Sequence, residues 1–114
     1  MKAKILLAGI ATIWSSVASA TPASAGPAIP RDVLLEGDQI YILMDGIPNP
    51  DGCGHSDMMV LAAASPAETE RMFSMLITSI TSGKTLTIWI NGCSTFAPWG
   101  GSVPNAYDVQ LHRP

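Results

Sequence analysis

A small, mainly β domain with one helix, held by one disulfide, is the fold this sequence predicts. Three observations carry that expectation: a capping box at Ser65-Pro66-Ala67-Glu68, strict apolar alternation from Thr85 to Asn91, and an export signal that sets the redox state of the only two cysteines.

The export signal comes first in the chain. Lys2 and Lys4 precede an apolar stretch from Ile5 to Val17, and Ala18-Ser19-Ala20 supplies the small residues of a cleavage site. The stretch is shorter than the ~20 residues of a spanning helix, and no later segment is longer, so residues 1–20 read as a signal peptide and not as a membrane anchor. A second small triplet, Ala23-Ser24-Ala25, offers an alternative cleavage before Gly26. Residues 21–30, with three prolines and no apolar periodicity, read as an extended leader, and residues 31–114 as a single domain.

Within that domain, Val33–Glu36 and Gln39–Met44 form two strands joined by a tight turn at Gly37-Asp38. A loop from Asp45 to Ser56 follows, and Met58–Ala63 is a short buried third strand. Ser65 then caps a helix with Pro66 at its first position, and Gly83 stops it. Met72, Phe73, Leu76, Ile77 and Ile80 share one face of that helix, which should bury against a sheet. The next strand places Leu86, Ile88 and Ile90 on one face and Trp89 on the other, and Tyr107–His112 alternates as the last. Strand, strand, strand, helix, strand, strand is the chain order of an OB-fold, a small partly open barrel. The same elements also suit an open α+β sheet with one packed helix, because periodicity gives elements and not closure.

Composition narrows the function classes. Without residues 1–20 the chain keeps Arg31, Arg71, Lys84 and Arg113 against nine carboxylates, so it lacks the basic footprint that nucleic acid requires. Asp45, Asp51, His55, Ser56 and Asp57 crowd one loop, yet neighbours in a chain do not converge on one reacting atom, and no nucleophile elbow supports the serine. The aspartate spacing does not match a calcium loop. No cofactor motif is present, and a hydrolase ranks third among the readings.

Cys53 and Cys93 are an even pair in an exported chain, where bonding is the default. A zinc site from Cys53, His55, Cys93 and His112 lacks the paired ligand spacing that such sites use. His55 is then a polar loop residue.

The pattern Cys53 … Ser65-Pro66 … Phe73-Ser74-Met75-Leu76 … Ser82-Gly83-Lys84-Thr85-Leu86-Thr87-Ile88 … Cys93 resembles the B subunits of subtilase-type cytotoxins and the small secreted proteins related to them. The resemblance implies an OB-fold, secretion, and a ring of five subunits that binds cell-surface glycans. It carries over no sugar-contacting residue and no toxin A subunit.

Ligand candidates come from the residues themselves. The segment Ser94–Pro104 holds Phe96 and Trp99 between prolines and glycines, which suits either stacking on a sugar ring or plugging an open barrel end. Trp89, outward on its strand, and Met75 on the helix mark a candidate subunit interface. The expected function is a noncatalytic binding module, secreted or periplasmic, with a glycan as ligand and a homo-oligomer as assembly. The alternative is a structural or accessory protein of the cell envelope with a protein partner. If the cysteines are bonded, Cys53→Ser and Cys93→Ser should each cost about 2–5 kcal/mol in denaturant melts, with the double variant no worse than either. Free thiols in the native exported protein would contradict the pairing.

Overall fold

A computed structural model describes residues 21–96 and 100–114. The signal-peptide expectation, which falls on residues 1–20, lies outside the described residues, as does Trp99. The elements run β1 (Ala23–Ala28), β2 (Asp32–Glu36), β3 (Gln39–Leu43), β4 (Met58–Leu61), α1 (Pro66–Ser82), β5 (Leu86–Thr95) and β6 (Ser102–Leu111).

The six strands make one sheet in the order β1-β5-β6-β4-β3-β2. It is open and not a closed barrel, so the OB-fold expectation gives way to the open α+β arrangement. β6 sits between β5 and β4, antiparallel to the first and parallel to the second. The chain therefore leaves the sheet on one side of β6 and returns on the other. Closure would need β2 on the outer edge of β5, and β1 occupies that edge, so β1 and β2 end as separate edges of the sheet.

Local chemistry explains the best-defined elements. Glu36 faces Gln39 across the Gly37-Asp38 turn, and Gly37 takes a φ of 58°, where a residue without Cβ is favoured. The Ser65 hydroxyl accepts from the Glu68 amide at 3.2 Å, and Gly83 ends α1 with φ 74° and its amide bonded to the Ser79 carbonyl at 2.9 Å. Ser79 is fully buried, and its hydroxyl donates to the Lys84 carbonyl at 2.5 Å, tying the helix end to the approach to β5.

The helix lies over β6 and covers one sheet face. Met72 and Leu76 enter the main core with Ile42, Met44, Met59, Leu86, Ile88, Ile90, Ala106 and Val109, and Met75 packs at its margin. The expected apolar helix face is wider than the buried one. Phe73, Ile77 and Ile80 remain 38–39% exposed, because the contact with the sheet is centred on Met72, Leu76 and Ser79.

β1 is the largest departure from the sequence reading. Residues expected as a leader ahead of the fold form an edge strand on β5, with Ala23 facing Ile90, Ser24 facing Trp89 and Ala25 facing Ile88. Its alanines are small enough to lie at the border of the main core, and Ala25 is fully buried there. Gly26, at φ 96°, interrupts the register, and a Cβ on it would fall 2.5 Å from the Leu86 carbonyl oxygen.

β5 and β6 are also longer than expected. They pair as far as Thr95 and Ser102, so Ser94, Thr95 and Ser102–Pro104 of the expected 94–104 loop are strand. The Phe96 amide donates to the Gly101 carbonyl at 2.9 Å and closes the hairpin end. On the sheet face opposite the helix, Phe96 joins Tyr41, Val60 and Val103 in a second, smaller core. Its ring meets Tyr41 edge-on at 4.9 Å and His55 at 5.2 Å.

The disulfide links Cys53 to Cys93 with Cα atoms 5.7 Å apart, joining the loop before β4 to the outer half of β5. Asn49 prepares that loop. Its side-chain oxygen accepts from the Cys53 amide at 2.7 Å and its amide donates to the Cys53 carbonyl at 2.8 Å.

Two substitutions probe this packing. Phe96→Ala should cost about 3–5 kcal/mol, since a nearly fully buried ring leaves a cavity; an unchanged melt would contradict the second core. Gly26→Ala should cost more than ~1 kcal/mol, as the added methyl meets backbone at a left-handed position; a neutral melt would contradict the β1–β5 contact.

Candidate functional site

The helix covers one face of the sheet, and Phe96 with its neighbours seals one end of the other. What remains open is the outer face of β1, β5 and β6. There Trp89, half-buried, faces exposed Ser24 on one side and exposed Asp108 on the other. These three residues form a row across adjacent strands spaced ~4.8 Å apart, so the row spans about 10 Å. In the next row on the same face, Thr87 faces exposed Gln110. The Thr87 hydroxyl meets His112 Nε2 at 2.7 Å, which fixes both side chains.

The position of Trp89 follows from the alternation of β5. Ile88 and Ile90 must point into the main core, so the residue between them must point away from the helix. Asp108 reaches its place through an irregularity in the pairing of β5 with β6, where Trp89 faces Asp108 but Ile90 faces Ala106. The extra residue on β6 re-aims its side chains. The Asp108 carboxylate accepts from its own neighbour, the Val109 amide, at 2.9 Å, which holds it in place.

Such a face can bind without catalysing. An indole offers a broad apolar surface and one N–H donor, while Ser24 and Gln110 supply donors and acceptors and Asp108 supplies acceptors. A flat ligand carrying C–H groups on one side and hydroxyls around its rim matches that inventory.

The other candidate residues lie elsewhere. Phe96 is 3% exposed, so its ring is not available for stacking. Trp99 lies outside the described residues. Met75 is half-buried against the main core, away from Trp89 on the opposite side of the sheet.

The loop carboxylates are engaged separately. Asp45 pairs with Arg31 at 2.9 Å, and Asp51 accepts from Thr21 at 2.8 Å and from the Gly92 amide at 3.0 Å. His55 Nε2 meets the Gly100 carbonyl at 3.1 Å, and its backbone amide donates to the Ser102 carbonyl, so this residue anchors the hairpin end. With both cysteines bonded, the zinc reading loses its two thiolates.

A cleft of about 590 Å³ opens on the helix side, between the start of α1 and the β2–β3 turn. It is lined by Asp38, Gln39, Ile40, Leu61, Ser65 and Glu70 among others, and contains no aromatic ring and no cation. Ser65 already satisfies the amides of Glu68 and Thr69 there. The open face around Trp89 therefore has the stronger recognition chemistry, despite being less concave.

Sequence reasoning singled out Trp89 but missed Ser24, Asp108 and Gln110. Their common signal is register, which depends on strand pairing and not on residue type. Among the described residues no helix is long and apolar enough to cross a membrane. No family model, curated protein or solved structure matches this chain.

Proposed function

We propose that this chain is an exported, noncatalytic binding module that recognises glycans on the sheet face around Trp89. The observation that carries this reading is the half-exposed indole held in register between Ser24 and Asp108, with Gln110 beside it, on the face the helix leaves uncovered. A sugar's C–H face would lie on the indole and its hydroxyls would meet the flanking polar side chains. Export is supported by the Lys2-to-Ala20 signal features and by the disulfide, which suits an oxidising compartment such as the periplasm or the medium. The resemblance to cytotoxin B subunits suggests the same ligand class and a ring of five copies.

An accessory envelope protein is the second reading. It is favoured by the exposed stripe Phe73, Ile77 and Ile80, a surface that suits a protein partner. No charged residue lies between Met72 and Gly83.

A glycan array of the mature protein, read with native mass spectrometry, separates the two. Trp89→Ala should weaken binding at least about tenfold, corresponding to ~1.4 kcal/mol. Gln110→Ala should also weaken binding, while its melt stays within about 0.5 kcal/mol of the parent because the side chain is exposed. Glycan binding that survives Trp89→Ala would overturn this site. Absence of glycan binding, with assembly lost in Ile77→Glu, would favour the accessory reading.

A further inference from the structure

We propose that Asp51 is a receptor for the chain's own processed N-terminus, and that processing occurs between Ala20 and Thr21 and not before Gly26. The inference rests on the export reading given above and goes beyond it in assigning the bond cut and the group that receives the new end.

The geometry is specific. The Thr21 backbone nitrogen lies 2.8 Å from Asp51 Oδ1, while Oδ2 of the same carboxylate accepts the Gly92 amide at 3.0 Å. One carboxylate thus joins the residue that leads into β1 to the strand that β1 pairs with. Asp51 is two residues before Cys53, and Gly92 is one before Cys93, so the contact sits at the corner stapled by the disulfide. No lysine or arginine among the described residues pairs with Asp51; the ion pairs there are those of Arg31 with Asp32 and Asp45.

Cleavage adds water across the Ala20–Thr21 peptide bond. Ala20 leaves with a carboxylate, and Thr21 gains an α-amino group that takes up a proton. The nitrogen facing Asp51 then changes from an amide with one N–H to an ammonium with three, and a neutral hydrogen bond becomes a charge-assisted one. The cation that Asp51 lacks is supplied by processing itself.

The alternative cut before Gly26 conflicts with the fold. It would remove Thr21 together with Ala23, Ser24 and Ala25, the residues that face Ile90, Trp89 and Ile88. The fully buried Ala25 would be lost from the main core, and β5 would become an unpaired edge. Gly26 and its close approach to the Leu86 carbonyl would have no strand to serve. Ser24 would also disappear from the row around Trp89.

Two measurements test the proposal. First, the full chain is expressed in an exporting host and the recovered protein's intact mass is recorded. A chain starting at Thr21 is expected. A chain starting at Gly26 would overturn the proposal and leave export standing, whereas an intact Met1 in the envelope fraction would overturn export itself and the proposal with it. Second, the mature chain has one lysine, so a Lys84→Arg background leaves the α-amino group as its only amine. In that background, acetylation of Thr21 and the substitution Asp51→Asn should each lower the melting midpoint, by about 4 °C. Together they should lower it no further than either alone. Additive losses, or no loss on acetylation, would show that Asp51 does not pair with the ammonium and would overturn the assignment.

Discussion

Two-sided pairing of Leu86–Ile90, the inner half of β5, is the constraint on which the rest of this structure depends. Leu86, Ile88 and Ile90 are buried, so the backbone groups between them need partners on both edges. β6 supplies one set and β1 the other. Once β6 is in place, its free edge takes β4, and the β3–β2 hairpin completes the sheet. The helix then has one face to cover, which it does from above β6 with Met72 and Leu76. The disulfide acts at the far end of β5, where the pairing with β6 becomes irregular between Ile90 and Cys93.

The elements governed by local chemistry were legible from the residues. Ser65, Pro66, Glu68 and Gly83 mark both ends of α1 because each satisfies a backbone group or conformation that only the helix end presents. The Gly37-Asp38 turn and the Cys53–Cys93 bond are of the same kind, the second resting on compartment chemistry. The order of strands was not legible. Alternation tells which residues share a face but not which strand lies alongside, and barrel and open sheet use the same alternation. β1 escaped notice because ASAGPA has no large apolar residue; its contribution is pairing and close approach, which small residues provide without any periodic signal. The extended ends of β5 and β6 were hidden by glycine and proline, yet Pro104 is accommodated within β6, facing Cys93 where the ladder is irregular.

The same asymmetry explains what was legible of the site. Trp89 stands out in the sequence as the aromatic residue on the polar side of a strand. Its companions do not, because Ser24 comes from a strand that sequence could not reveal and Asp108 arrives through a shift in register. For Phe96 the sequence left stacking and plugging both open, and the ring takes the plugging role. Its neighbours in sequence are turn residues, and Tyr41, Val60 and Val103 form an apolar patch on the face opposite the helix that its ring covers. One aromatic thus completes the fold and the other stays half-buried on the uncovered face. The division follows from where the helix and the hairpin end leave the sheet uncovered.

The central claim is the register of β1, β5 and β6, since the open sheet, the row around Trp89 and the placement of the N-terminal segment all require it. Cross-strand proton contacts and amide exchange measured by NMR on the chain from Thr21 onward test it most directly. Contacts from Trp89 to both Ser24 and Asp108, slow exchange at the β1 amides that bond β5, and parallel contacts between Val60 and Asn105 are expected. Free exchange throughout residues 23–28, with Trp89 in contact with Asp108 alone, would contradict it.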